Sequence, residues 1–199
     1  MSPFRQHTKR QTSAPSVEPV TVAEAKSHMR VDHSTDDTLI GNLIKAAREH
    51  CEHSTGRALI TQTWESRFDY WPSGGVIYVP KPPLQSVTSI VYIDTAGAST
   101  TLSASVYDVD TNATPGRILP AYNESWPSVQ DHTNVITVTY VAGFGDAASD
   151  VPEGLRIAIL QLVAQWYEHR EAISAGISTA DLPFAVDSLF RLHEVHGAQ

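Results

Sequence analysis

Residues 151–171 read VPEGLRIAILQLVAQWYEHRE, and this stretch decides the fold. Asp150 stands where a helix cap belongs, Pro152 suits a first turn, and no Gly or Pro interrupts the run after Gly154. Leu155, Ile159, Leu162 and Trp166 recur at helical spacing and form the face expected to meet the core. Ile157, Leu160, Ala164 and Tyr167 make the opposite side apolar as well, leaving only Gln161, Gln165 and Glu168 as a polar stripe. A helix apolar nearly all round is covered nearly all round. The second face therefore needs either another helix of this chain or an adjacent copy of the protein.

Working outward, Thr21 and Glu24 fit a capping box that opens a helix near 21–30. A second helix, near 36–55, is amphipathic: Leu39, Ile40, Leu43, Ile44, Ala47 and Cys51 share a face, while Lys45, Arg48, Glu49 and Glu52 are expected to point away. Gly56 supplies its stop. From Ile60 to Val141 the pattern turns alternating and rich in Val, Ile, Thr and Tyr, with Pro and Gly between runs, which reads as an antiparallel β-domain over 60–145. A last amphipathic segment lies near 183–195, behind a linker that starts at Gly176. The expected fold class is thus α+β, a small helical bundle carrying an inserted antiparallel β-domain. Residues 20–59 and 146–175 form the helical core, with Leu39, Leu43, Ala47, Leu155, Ile159, Leu162 and Trp166 inside it. Residues 1–19, with Arg5, Lys9 and Arg10 but a single acid at Glu18, read as a flexible basic arm.

The chain has 199 residues, 41% of them hydrophobic and 18% charged, with a formal net charge of −8. That balance argues against electrostatic capture of nucleic acid. One cysteine, Cys51, excludes an intramolecular disulfide and suits a reducing cytoplasm. Neither a membrane-spanning run nor a secretion signal is expected.

The histidines are the first candidates for chemistry. His50 with His53, and His193 with His196, keep helical spacing but lack a third ligand in sequence, so His50 reads as a core residue and no metal site is expected. Asp108, Asp110 and Asn112 open like a calcium loop, yet Ala113 replaces its turn glycine and Leu119 its closing glutamate. No catalytic motif and no cofactor signature appears, and the expected answer is not an enzyme. Trp71-Pro72 and Trp126-Pro127 mark strand ends. They also suit a glycan platform, so a glycan-binding or wall-degrading virion module is the alternative reading.

Four stretches taken in order carry a resemblance: VTVAEAKSHMRVDHSTDDTLIGNLIKAAREHCEHSTGRALITQTW (20–64), PKPPLQSVTSIVYID (80–94), PGRILPAYNESWP (115–127) and ITVTYVAGFGDAASDVPEGLRIAILQLVAQWYEHRE (136–171). Together they resemble the head-tail connector (adaptor) family of tailed bacteriophages and gene transfer agents. The resemblance implies a structural virion protein, usually a dodecameric ring under the portal protein, that joins head to tail. It also implies a stopper or tail-terminator partner, DNA passing through the ring without sequence-specific binding, and residence in the virion neck after assembly in the host cytoplasm. Portal docking would fall to the C-terminal segment, here Leu182, Pro183, Phe184, Val186, Leu189, Phe190 and Leu192, although its ending departs from the family's usual one. On that reading, deleting Asp181 to Gln199 leaves a folded subunit with weakened portal attachment.

Overall fold

The computed structural model describes residues 7–169 and 184–195. Within these, residues 16–60, 145–169 and 184–195 form a helical unit, and residues 7–15 with 61–144 form a β unit. The α+β class expected from the sequence is what the chain adopts.

In the helical unit, α1 (Val22–Met29) begins on the expected capping box: Thr21 Oγ1 accepts the Glu24 N–H at 3.1 Å, and the Glu24 carboxylate accepts the Thr21 N–H at 2.7 Å. Helix α2 (Asp37–Thr55) ends at Gly56, whose φ of 73° is the left-handed conformation that glycine adopts without strain. Helix α3 (Glu153–Glu168) packs on both of them, and α4 (Phe184–His193) packs on α2 and α3. The start of α3 differs from expectation. Asp150 caps the preceding short 3-10 turn, accepting the Ala147 N–H at 2.9 Å, and Pro152 holds the cap position of the helix itself. A Cβ on Gly145 would collide with that carboxylate, so the entry to α3 requires a glycine there. The two chain segments that enter and leave the insertion are held side by side by a parallel bridge between Ile60 and Gly145.

The side of α2 expected to face water is partly buried. Arg48 is 3% exposed and Glu52 6% exposed. Arg48 donates to Glu18 at 2.7 Å and to Glu52 at 2.8 Å, and the other Glu52 oxygen accepts the Leu59 N–H at 2.9 Å. The segment before α1 and the one after α2 fold over this side, so the charges are buried as a mutually satisfied set.

The β unit holds two antiparallel sheets. One has five strands in the order β1-β2-β8-β4-β5: β1 (His7–Ser13), β2 (Gln62–Phe68), β4 (Leu84–Ile93), β5 (Ser99–Thr101) and β8 (Ile136–Ala142). The other has the order β3-β7-β6, from β3 (Ile77–Val79), β6 (Tyr107–Asp110) and β7 (Gly116–Pro120). Strand β8 alternates as expected, with Ile136, Val138, Tyr140 and Ala142 buried and Thr137 and Thr139 on the opposite face. Burial pushes the Tyr140 phenol well above its ordinary pKa, against a weak opposing hydrogen bond from Ser66.

Strand β1 corrects the reading of residues 1–19 as a flexible arm. Residues 7–13 pair along β2, from His7 opposite Phe68 to Ser13 opposite Thr63, although the side chains of residues 8–13 are exposed. A strand exposed on both faces shows no apolar alternation, and its conformation comes from the ladder that β2 offers.

Candidate functional site

Helix α3 sorts its residues by face. Leu155, Ala158, Ile159, Leu162 and Val163 are buried, and α2 meets them with Ile40, Ile44, Ala47 and Cys51. Leu39, Leu43 and Trp166, placed in the core from the sequence, are only half-buried. Trp166 lies edge-on to His50, with ring centroids 6.2 Å apart. His50, taken from the sequence as a core residue, is itself half-buried and also faces Phe190 at 6.0 Å.

The second face of α3 is left mostly open. Ile157 is 40% exposed, and Leu160 and Ala164, three and seven residues on, are half-buried beside it. Gln161 shares this face, and its amide oxygen is buried with no partner among the described residues. Tyr167 does not belong with these three, because its hydroxyl donates to Asp36 at 2.6 Å and is tied to the start of α2. Below that face, Arg156 joins Glu24 at 2.6 Å, Glu153 at 2.7 Å and the Pro19 carbonyl at 3.0 Å. The Thr21 hydrogen bonds, with the Arg156 charge behind them, hold the Glu24 carboxyl below its usual range.

The segment expected to dock on a portal is arranged differently from a free tail. Val186 and Phe190 of α4 are buried in the subunit's own bundle, and Leu189 is half-buried. Leu192 is 78% exposed. Leu182 and Pro183 lie outside the described residues, as does the Phe184 side chain. Two contacts fix the end of α4: Arg57 donates to the His193 carbonyl at 2.6 Å, and the Val195 N–H donates to the Thr55 carbonyl at 3.0 Å. An amphipathic helix needs some apolar partner, and the nearest one is its own α2–α3 pair.

This latch has a pH dependence. Burial, and then the neighbouring Arg57 charge, lower the His193 pKa below its unfolded value. The unfolded chain therefore binds the proton first on acidification, and stability is lost as pH falls through the unfolded value near 6.5. Amide exchange over 184–195 should be faster at pH 5 than at pH 8 after correction for the intrinsic rate, and His193→Gln should flatten the difference. An unchanged difference in the variant would remove His193 from the latch.

The chemistry-bearing residues are engaged in structure. Asp110 accepts the Arg117 guanidinium at 2.9 Å and, after it, the Asn112 and Ala113 N–H groups, which holds its carboxyl below the usual range, so the calcium-like residues form a turn. No cluster among the described residues has the make-up of a metal site. Trp71 and Trp126 stack face to face at 4.5 Å, and their N–H groups donate to the Pro127 and Gly75 carbonyls at 2.7 and 2.8 Å. Each ring covers the other, which leaves the glycan-platform alternative without support.

Residues 19–115 match the family described as phage gp6-like head-tail connector protein. No curated protein matches the chain. Among solved structures, the chain is similar to one in the neck of a native gene transfer agent particle computed with C12 symmetry: 25% identity, TM-score 0.76, covering 96% of this chain and all of that one. A chain from the empty particle's neck, computed with C6 symmetry, gives 24% identity and a TM-score of 0.79 over 96% and 100% of the two chains. One from the native virion gives 24% and 0.78 over 94% and 95%. The head-tail connector resemblance read from the sequence is borne out in the family match and in the fold.

Proposed function

We propose that this protein is a structural adaptor in the neck of a tailed phage or phage-like particle. It forms a ring under the portal that joins head to tail and leaves a channel for DNA. The observation that carries the reading is the end-to-end likeness to a neck chain, with 96% of this chain and all of that one covered. The twelvefold symmetry of that neck supports a dodecamer.

A closed ring is built by a heterologous contact, one patch of each copy meeting a different patch of the next. The open face of α3, with Ile157, Leu160 and Ala164, is the apolar patch we assign to that contact. Docking onto the portal uses the C-terminal segment, of which Leu192 is the exposed large apolar side chain among the described residues of α4. A stopper or tail-terminator partner takes the other side of the ring.

Mixing the purified protein with its cognate portal should give a ring-shaped complex visible by electron microscopy, even if the isolated subunit is monomeric. Persistent failure to bind the portal would sink the adaptor reading. Ile157→Asp should abolish the ring while shifting subunit stability by no more than about 1 kcal/mol, because the residue is already substantially exposed. Rings of normal yield from this variant would remove α3 from the contact.

A further inference from the structure

The β unit displays one aromatic side chain far more openly than the rest. Tyr122 is 90% exposed. It is not on a loose loop. Residues 121–124 form a tight turn in which the Glu124 N–H donates to the Ala121 carbonyl at 2.9 Å, and Asn123 takes the positive φ of 62° that such a turn requires. Two residues after the turn, Trp126 is clamped by its stack on Trp71 and its hydrogen bond to the Gly75 carbonyl. An exposed ring on a braced turn binds with little further loss of conformational freedom, which makes it a favourable protein-docking knob.

The charged residue of the turn is acidic: Glu124, two residues after the ring, is exposed, and the stretch of the same unit from 118 to 144 carries Asp131 besides and no Lys or Arg. Strand β1 of the same unit has the opposite character. It sits at the edge of its sheet, its side chains from Thr8 to Ser13 are exposed, and it bears Lys9 and Arg10 with no acid. Arg10 reaches Glu65 at 3.3 Å, yet its side chain stays 70% exposed. One chain thus presents an acidic aromatic knob and a basic edge, the pair of unlike surfaces that a head-to-tail ring needs.

We infer that the Tyr122–Glu124 turn of one copy seats on the Lys9–Arg10 edge of the neighbouring copy, Glu124 pairing with a basic side chain and the Tyr122 ring lying under one. The occupant of the turn is a second copy of this chain, and the inference rests on the ring reading above. Exposed contacts of this kind are individually weak and sensitive to salt. Repeated at every subunit boundary, they add to the α3 contact.

The test uses rings assembled with the cognate portal. Thr8→Cys and Ser125→Cys are introduced together and oxidised; the native Cys51 is buried and does not interfere. A ladder of covalent multimers, ending at the ring's copy number, is expected. A fast-migrating monomer would mean that the two surfaces meet within one chain and would overturn the proposal, as would absence of cross-links in rings seen intact by electron microscopy. If the parent protein gives no ring at all, the ring reading fails and this one with it. As a second measurement, Glu124→Arg should raise the subunit concentration needed for assembly about tenfold. Adding Lys9→Glu and Arg10→Glu should restore it, and failure of that restoration counts against the pairing.

Discussion

Replacing Arg48 with alanine is expected to destabilise the helical unit by about 3–5 kcal/mol, the usual result of removing one partner from a buried ion pair. Burial opposes the charged guanidinium, but Glu52, Glu18 and Glu49 outweigh it and keep the pKa above its ordinary value. The substitution takes the Arg48 guanidinium away from the buried Glu52 carboxylate, whose other oxygen accepts the Leu59 N–H. It also unties Glu18 from α2, releasing the segment that leads into α1. Denaturant unfolding of the full chain measures the loss. The double variant Arg48→Met, Glu52→Gln should recover most of it, because a paired removal strands no charge. A single variant within about 1 kcal/mol of the parent would show that the charge set is solvated and not buried as described.

Phe190→Ala should have a comparable effect, about 3–5 kcal/mol, because it empties a buried aromatic site. Phe190 and Val186 are the buried residues of α4 among its described side chains, and no exposed helix of ten residues is stable alone in water. The expected signature is therefore specific: amide protection is lost across 184–195, and melting shifts downward. Truncation at Asp181 removes the same cover and should destabilise the subunit as well, where the sequence had suggested a tail that could be cut away without effect on the fold. Full protection of α4 in the Phe190 variant would argue that other contacts hold the helix.

Helix positions were legible because their signals are local. Thr21 and Glu24, or Gly56, satisfy backbone groups within a turn of themselves, and no distant residue has to cooperate. Strand β8 was legible for a related reason, since alternate residues meet a core that its own pattern announces. What stayed hidden depends on partners far along the chain. Nothing in HTKRQTS favours a strand until β2 supplies the ladder. Arg48 and Glu52 sit on the polar side of α2 by periodicity, and they are buried because Glu18 and Leu59 arrive from elsewhere. Trp166 has the spacing of a core residue but lies toward the end of α3, where the cover thins. The open face of α3 was visible as an excess of apolar residues, although Tyr167 left that set once its hydroxyl met Asp36. The Tyr122 turn has no signal in the sequence, since one tyrosine in a polar loop makes no pattern; only its exposure and the clamped Trp126 that follows it mark it out.

The bridge between Ile60 and Gly145 bears on the order in which the chain folds. Docking α3 onto α2 closes an excursion running from 61 to 144, which for a flexible chain costs about 4 kcal/mol in entropy before any contact is rewarded. If the sheet forms first, through pairings of β2 and β4 with β8, its two ends are already neighbours. Helices separated by most of the sequence then meet as though joined by a short loop, and the slow search belongs to the strands alone.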